Sequence, residues 1–290
     1  MKKLAVIFSA MLLSLALIAP ASATVVSNWN WEYNAGFISW SDTADPFGSN
    51  VHVDPGDLTD LAWDIPLPGG MITDVPQTIY WGTTDGVVPQ SIFGASGITL
   101  DPIAYGDGDY QMIETNGASV AVADFTHFNN PIQGPFLESG TVLTTFNLSP
   151  IDPPDFDASP AYVAALEFTF FETDNEWALV DEWRADDVFI LDDPSLTNGT
   201  FNYDSEQYIF DFEDSFEAID AKYIEHLVDN LGYAQLDPEL TYYGWVTTEG
   251  LDTTVQPKVS VVTTVPEPST LILLGVGLLG MFGIVRRRRS

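Results

Sequence analysis

Few residues in this chain have a type and spacing that could do chemistry, and the densest group is Thr126-His127-Phe128-Asn129, which runs straight into Asn130-Pro131. A histidine between a hydroxyl and an amide at a strand end could serve as a metal ligand or a general base. The same side chains could instead bond to the backbone of the Asn-Pro turn and fix where the strand stops, as short polar side chains do at turns. A structural role is the expectation for Thr126, His127 and Asn129. Acidic loops come next. Asp54, Asp57 and Asp60 lie three apart, and Asp107-Gly108-Asp109 forms a second cluster. Their oxygens suit Ca2+. Neither stretch follows the EF-hand loop, and with 42 acidic residues such clusters arise by chance. No cofactor is expected beyond this one Ca2+ possibility, and no metal ligand set can be read from the sequence.

Nucleophilic catalysis has no motif to stand on. Gly-x-Ser-x-Gly, Ser-x-x-Lys and His-Glu-x-x-His are absent, and His52, His127 and His226 are dispersed. A glycosidase-type carboxylate pair would be invisible among so many acids. The expectation is a protein that is not an enzyme. Trp29, Trp31 and Tyr33 fall on alternate residues, the period of a strand. Exposed, such a row could stack on sugar rings; buried, it is the inner face of a first strand. Large aromatics usually bury, so burial is expected.

The elements that would position these residues read as strands. Short β-branched or aromatic runs lie at 78–82, 91–100, 141–148, 161–171, 188–191, 207–212 and 242–248, and a strand of small and β-branched residues leads from Ser119 into the tetrad. Turn signals separate them, among them Asp45-Pro46, Asp54-Pro55-Gly56-Asp57, Asn198-Gly199 and the Pro150-Ile151-Asp152-Pro153-Pro154 stretch. One segment has helical period: Phe216, Ile219, Tyr223, Ile224, Leu227, Val228 and Leu231, with Asp214 and Glu217 as a capping box and Gly232 as the C-terminal stop. The fold class is therefore all-β, a β-sandwich or jelly-roll-like ectodomain with one short helix, plus a single C-terminal transmembrane helix. The expected division is a signal peptide over 1–23, an acidic ectodomain over 24–252, a Thr/Val-rich tether over 253–264 and a tail over 265–290.

Charge and cysteine bound the function. Once the two ends are set aside, the ectodomain keeps Arg184, Lys222 and Lys258 as its only Lys or Arg residues against forty-one acids, a net charge of −38. Nucleic-acid binding is excluded, because phosphate needs a basic footprint. Docking on anionic lipid is disfavoured for the same reason. Without cysteine, an exported domain has no disulfide staples, so its stability must come from a core that eight Trp, eighteen Phe and eleven Tyr can fill.

Both ends concern destination. Lys2-Lys3, the apolar run 4–18 and Ala21-Ser22-Ala23 form a secretory signal with a small-residue cleavage site, which makes Thr24 the expected mature start and the Sec machinery an expected partner. At the other end Val265-Pro266-Glu267-Pro268-Ser269 precedes the apolar run 271–285 and then Arg286, Arg287, Arg288 and Arg289. Fifteen residues at about 1.5 Å each nearly cross the hydrocarbon core, and the arginines hold their end in the cytoplasm, so the rest of the chain lies outside. These three parts in order resemble the PEP-CTERM sorting tail. The resemblance implies recognition by exosortase, a membrane peptidase or transpeptidase that removes the helix during delivery, in Gram-negative bacteria that make extracellular polysaccharide. An ordinary uncut anchor is the alternative, and the shortness of the helix suits a temporary stop better.

Thr126-His127-Phe128-Asn129 further resembles the signature of the THxN family of PEP-CTERM proteins. Tyr80-Trp81-Gly82, 168–173 (FTFFET) and 244–249 (GWVTTE) resemble that family's other segments in order. The family carries over no assigned activity. The sorting tail together with the lack of any catalytic constellation leads to the expectation of a cell-surface or extracellular-matrix protein, a non-enzymatic structural or adhesive component of exopolysaccharide or biofilm. A polysaccharide-binding module that uses Ca2+ is the alternative, and a glycoside hydrolase the more distant one.

Overall fold

The computed structural model describes residues 25–43, 51–61, 72–82, 95–103, 112–132, 134–151, 161–173, 181–192, 198–204, 206–211 and 216–263. They form an all-β, sandwich-like fold with one short α-helix, and the strands are numbered in chain order. One layer is a seven-stranded antiparallel sheet running β15 (Glu217–Ala218), β16 (Tyr243–Thr247), β12 (Asp187–Leu191), β11 (Ala161–Phe171), β10 (Leu137–Pro150), β1 (Asn28–Asp42) and β7 (Met112–Glu114). Two further sheets cover it. A five-stranded sheet runs β17 (Asp252–Val255), β9 (Ala123–Phe128), β6 (Ser96–Pro102), β5 (Thr78–Trp81) and β2 (His52–Val53). A four-stranded sheet runs β13 (Asn198–Tyr203), β14 (Glu206–Asp211), β18 (Lys258–Thr263) and β8 (Val120–Ala121). A small hairpin of β3 (Leu58–Leu61) and β4 (Ile72–Pro76) lies beside β1.

Alternation decides which side chains meet between the layers. Trp29, Trp31, Tyr33, Ala35 and Phe37 all point inward from β1 and are buried. Trp29 meets the rings of Phe201, Tyr203 and Tyr208 edge-on, with centroids 5.1–5.6 Å apart, and Trp31 stacks on Phe146 at 5.5 Å. Such aromatic pairs add to the stabilisation from burying their area. The alternating row is thus a core face, and it offers no platform to sugars.

Three boundaries differ from the sequence reading. The segment expected as a tether is instead β17 and β18, and Val259 and Val261 are fully buried. Pro150 is the last residue of β10 and pairs with Trp29, although its proline-rich context reads as irregular. The helix, α1, spans Ala221–Asp229, and Asp220 caps it by accepting from the Lys222 amide. The segment ahead of it is extended: β15 pairs with β16, so Glu217 belongs to a strand and forms no cap on this helix, and Asp214 lies outside the described residues. Gly232 does take a left-handed conformation after the last turn, with φ of 80°. α1 lies over the outer face of the main sheet, where Ile224 and Leu227 pack with Phe171, Val188, Ile190 and Ile219. The expected C-terminal membrane helix and the signal peptide lie outside the described residues. Among the described residues no helix is long and apolar enough to cross a membrane.

Candidate functional site

The tetrad sits on β9, and the strand's period splits it between two faces. Thr126 points outward and shares a hydrogen bond with Thr254 of β17 at 2.8 Å. His127 and Asn129 point into the sandwich and are buried. His127 lies in an aromatic cage: Trp81 stacks parallel to it at 5.7 Å, while Phe170 and Phe189 meet it edge-on at 5.5 and 4.8 Å. Neither ring nitrogen has a hydrogen-bond partner among the described residues. Burial pushes the imidazole pKa down to about 3, which keeps the ring neutral. A general base must reach its substrate's proton, and this ring is buried with no hydrogen-bond partner among the described residues.

The Asn-Pro turn is held by other residues than expected. Asn130 bonds the Ala95 carbonyl through Nδ2 and exchanges backbone bonds with the Ser96 hydroxyl. Asn129 turns away from it and donates from Nδ2 to the Thr247 carbonyl on β16 at 3.2 Å.

That bond leads to a polar tier which follows from strand register. Phe170, Phe189 and Trp245 stand side by side on the inner face of β11, β12 and β16. Phe189 and Trp245 stack at 4.3 Å. Two residues along each strand, on the same face, come Glu172, Asp187 and Thr247. Asp187 pairs with Thr247 across the ladder, and Glu172 comes opposite Asp187 one residue beyond the Phe171–Val188 pair. The aromatic tier therefore ends in a row of oxygens, with Asn129 reaching it from the facing sheet and Glu249 two residues past Thr247.

Electrostatics follow from that placement. Asp187 is fully buried; its Oδ1 accepts from the Thr173 amide at 2.9 Å and from the Thr173 hydroxyl at 3.4 Å, while Oδ2 has no partner among the described residues. Burial raises its pKa well above the usual carboxylate range, and the neighbouring Glu172 raises it further. Glu172 accepts from Trp81 Nε1 at 3.4 Å and is pushed up to about 8 by burial, with Glu249 adding to the shift. Glu249 is raised to about 7 by burial and by Asp186. On the outer face Asp186 accepts from the Tyr223 hydroxyl at 2.9 Å, which ties α1 to the sheet.

The other candidates do not converge on this tier. Asp54 Oδ1 accepts from the Gly56 amide, Asp57 accepts from the Thr78 hydroxyl and Asp60 Oδ1 accepts from the Asp74 amide. These carboxylates fix three separate turn contacts. Asp107-Gly108-Asp109 lies outside the described residues. His226 joins Asn230 and the Arg184 carbonyl, and His52 lies against Tyr80, so the three histidines serve three places. A groove of about 630 Å3 runs between β15–β16 and β17, lined among others by Glu217, Asp220, Trp245, Thr254 and Gln256.

Sequence reading passed over Glu172, Asp187 and Thr247 as site residues. The available signal was a carboxylate continuing the apolar face of Phe168 and Phe170. All four segments that resemble the THxN pattern contribute here: Trp81, the tetrad, Glu172 with Thr173, and Trp245 with Thr247 and Glu249.

Comparison with known proteins bears on the tail. Residues 264–289 match the model of the PEP-CTERM protein-sorting motif. That match includes Val265, Pro266, Glu267, Pro268 and Ser269 and the cluster Arg286–Arg289, and it marks the chain for export and for processing by exosortase after transit held at the membrane. No curated protein matches the chain.

Proposed function

We propose that the chain is an exported protein of a Gram-negative cell surface or extracellular matrix, a non-enzymatic structural or adhesive component of exopolysaccharide or biofilm. The sorting tail carries this reading, because it delivers a large, strongly acidic β-sandwich to the outside and then releases it from its temporary membrane stop. The sandwich suits that place. It holds together without disulfides through an aromatic core, and its charge keeps it soluble and able to collect cations from the medium. Its one histidine with tetrad character is caged, which fits a scaffold better than a catalyst. Membership of the THxN group is part of the same proposal, supported by the meeting of its four segments around Asn129 and Asp187.

The alternative of a polysaccharide-binding module keeps one observation in its favour, the groove beside Trp245, whose volume falls in the range of small-ligand sites. The aromatic row gives it no support, since Trp29, Trp31 and Tyr33 are buried, and in the acidic loop Asp54, Asp57 and Asp60 each hold a turn contact.

Loss of the gene in the host tests the proposal together with a tail deletion. Removing the gene is expected to alter floc or matrix cohesion, and removing residues 266–290 is expected to leave the protein outside its normal location with the same matrix defect. An unaltered matrix in both strains would count against a structural role. Turnover of the host's own polysaccharide by the purified protein would replace it with the hydrolase reading.

A further inference from the structure

The polar tier has more oxygens than partners. Asp187 Oδ2, Asn129 Oδ1 and Thr247 Oγ1 are each buried without a hydrogen-bond partner among the described residues, and the three residues are at most 1 % exposed. Such groups are rare in native proteins, because each forfeits its hydration for nothing in return. The Asn129 amide is oriented by its own bond. Thr247 O can only accept, so Nδ2 must face it and Oδ1 is left as an unpaired acceptor in the interior. Glu172, one residue past β11, stands opposite Asp187 by the register of the Phe171–Val188 pair, which puts a second carboxylate beside these acceptors.

We infer that this tier is a hard-cation site, which takes Ca2+ between the carboxylates of Glu172 and Asp187 with Asn129 Oδ1 and Thr247 Oγ1 as neutral ligands. No group of three His, Asp or Glu side chains among the described residues could share an ion. Two carboxylates are therefore the limit here, and neutral oxygens must make up the rest of the protein's share. An all-oxygen set excludes the softer metals that prefer thiolate or imidazole. It suits Ca2+ better than Mg2+, because Ca2+ accepts six to eight oxygens in irregular geometry and Mg2+ insists on an octahedron. Glu172 and Glu249 are only partly buried, so water can complete the shell and the ion can enter from that edge. The acidic loop at Asp54, Asp57 and Asp60 is a different place, where each carboxylate accepts from a protein donor through one oxygen. An ion here would clamp β11, β12 and β16 to β9 across the two layers, and would make the strength of an exported scaffold respond to the calcium around it.

Calcium, titrated into the full chain after EDTA treatment at pH 7.5 and constant ionic strength, tests this. A rise in Tm of about 5 °C at 1 mM Ca2+ is expected, the shift that follows from binding tens of times tighter than that concentration. Tb3+ gives an independent reading, since it would sit beside Trp81, whose Nε1 lies 3.4 Å from Glu172 Oε2. Excitation of tryptophan should produce terbium emission that Ca2+ displaces. Asp187→Asn and Glu172→Gln should each weaken both signals at least tenfold, and Asp57→Asn should leave them unchanged. Either variant suffices if the other fails to fold. No Ca2+ shift and no sensitised emission would overturn the inference and assign the tier to a proton shared by its carboxylates. A shift that survives in both tier variants would overturn it too, by placing the ion elsewhere.

Discussion

Truncation after Leu251 abolishes cooperative folding, whereas truncation after Thr263 leaves the sandwich intact; urea denaturation followed by tryptophan fluorescence separates the two outcomes. The reason lies in what the last two strands join. β18 stands between β14 and β8, pairing with both, and β17 pairs with β9 along its length from Asp252–Phe128 to Val255–Phe125. Without them the covering layer loses its centre. Val259 and Val261 alone, fully buried, are each worth about 1.5–3 kcal/mol. A domain of this size has a net stability of about 5–15 kcal/mol, and the ladder bonds and exposed core are lost as well. A shorter chain that still unfolds with an undiminished denaturant slope would show that the segment is a tether after all.

His127→Ala lowers stability by about 3 kcal/mol, while His127→Leu stays within about 1.5 kcal/mol of the parent protein, both read from denaturant midpoints. Alanine opens a cavity among Trp81, Phe170 and Phe189. Leucine nearly conserves the volume and removes two nitrogens that have no partner among the described residues. The pH profile adds a sign. The native state holds this imidazole neutral down to about pH 3, while the unfolded chain takes up the proton near its ordinary 6.5. The stability it contributes is therefore complete above pH 6.5 and is lost as pH falls from there towards 3, at up to about 1.4 kcal/mol per pH unit. His127→Leu, compared with the parent in EDTA, should show a shallower loss over that window. If leucine costs as much as alanine, the ring has a polar partner and the caged reading fails.

Much of this architecture was legible because burial imposes a period. Trp29, Trp31 and Tyr33 alternate, and they are a core face. Phe168 and Phe170 share a face that carries on to Glu172. What could not be read were the meetings set by register between distant strands. Asp187 becomes a site residue only because β12 pairs with β11 on one side and β16 on the other. Thr253 to Thr264 reads as a tether since threonine and valine suit strand or tether equally, and β9, the partner of β17, lies more than a hundred residues away. The helix boundary failed for a local reason. Phe216 and Ile219 fit helical spacing, yet Phe216 stacks on Trp245 at 5.7 Å and the Ile219 amide bonds the Tyr242 carbonyl, so both belong to the sheet edge. The tetrad reads as the fixing of the Asn-Pro turn, but Asn130 does the turn's work and Asn129 belongs to the polar tier.

The chemical end of the protein recovered from outside the host cell tests the central claim most directly. Intact-mass and C-terminal peptide measurement should find a chain that starts at Thr24 and stops within or just after 265–269, without the apolar run or Arg286–Arg289. In a host lacking exosortase the same protein should keep its arginines and remain in the membrane fraction. Extracellular protein that still ends in Ser290, or processing that is unchanged when exosortase is lost, would contradict the account.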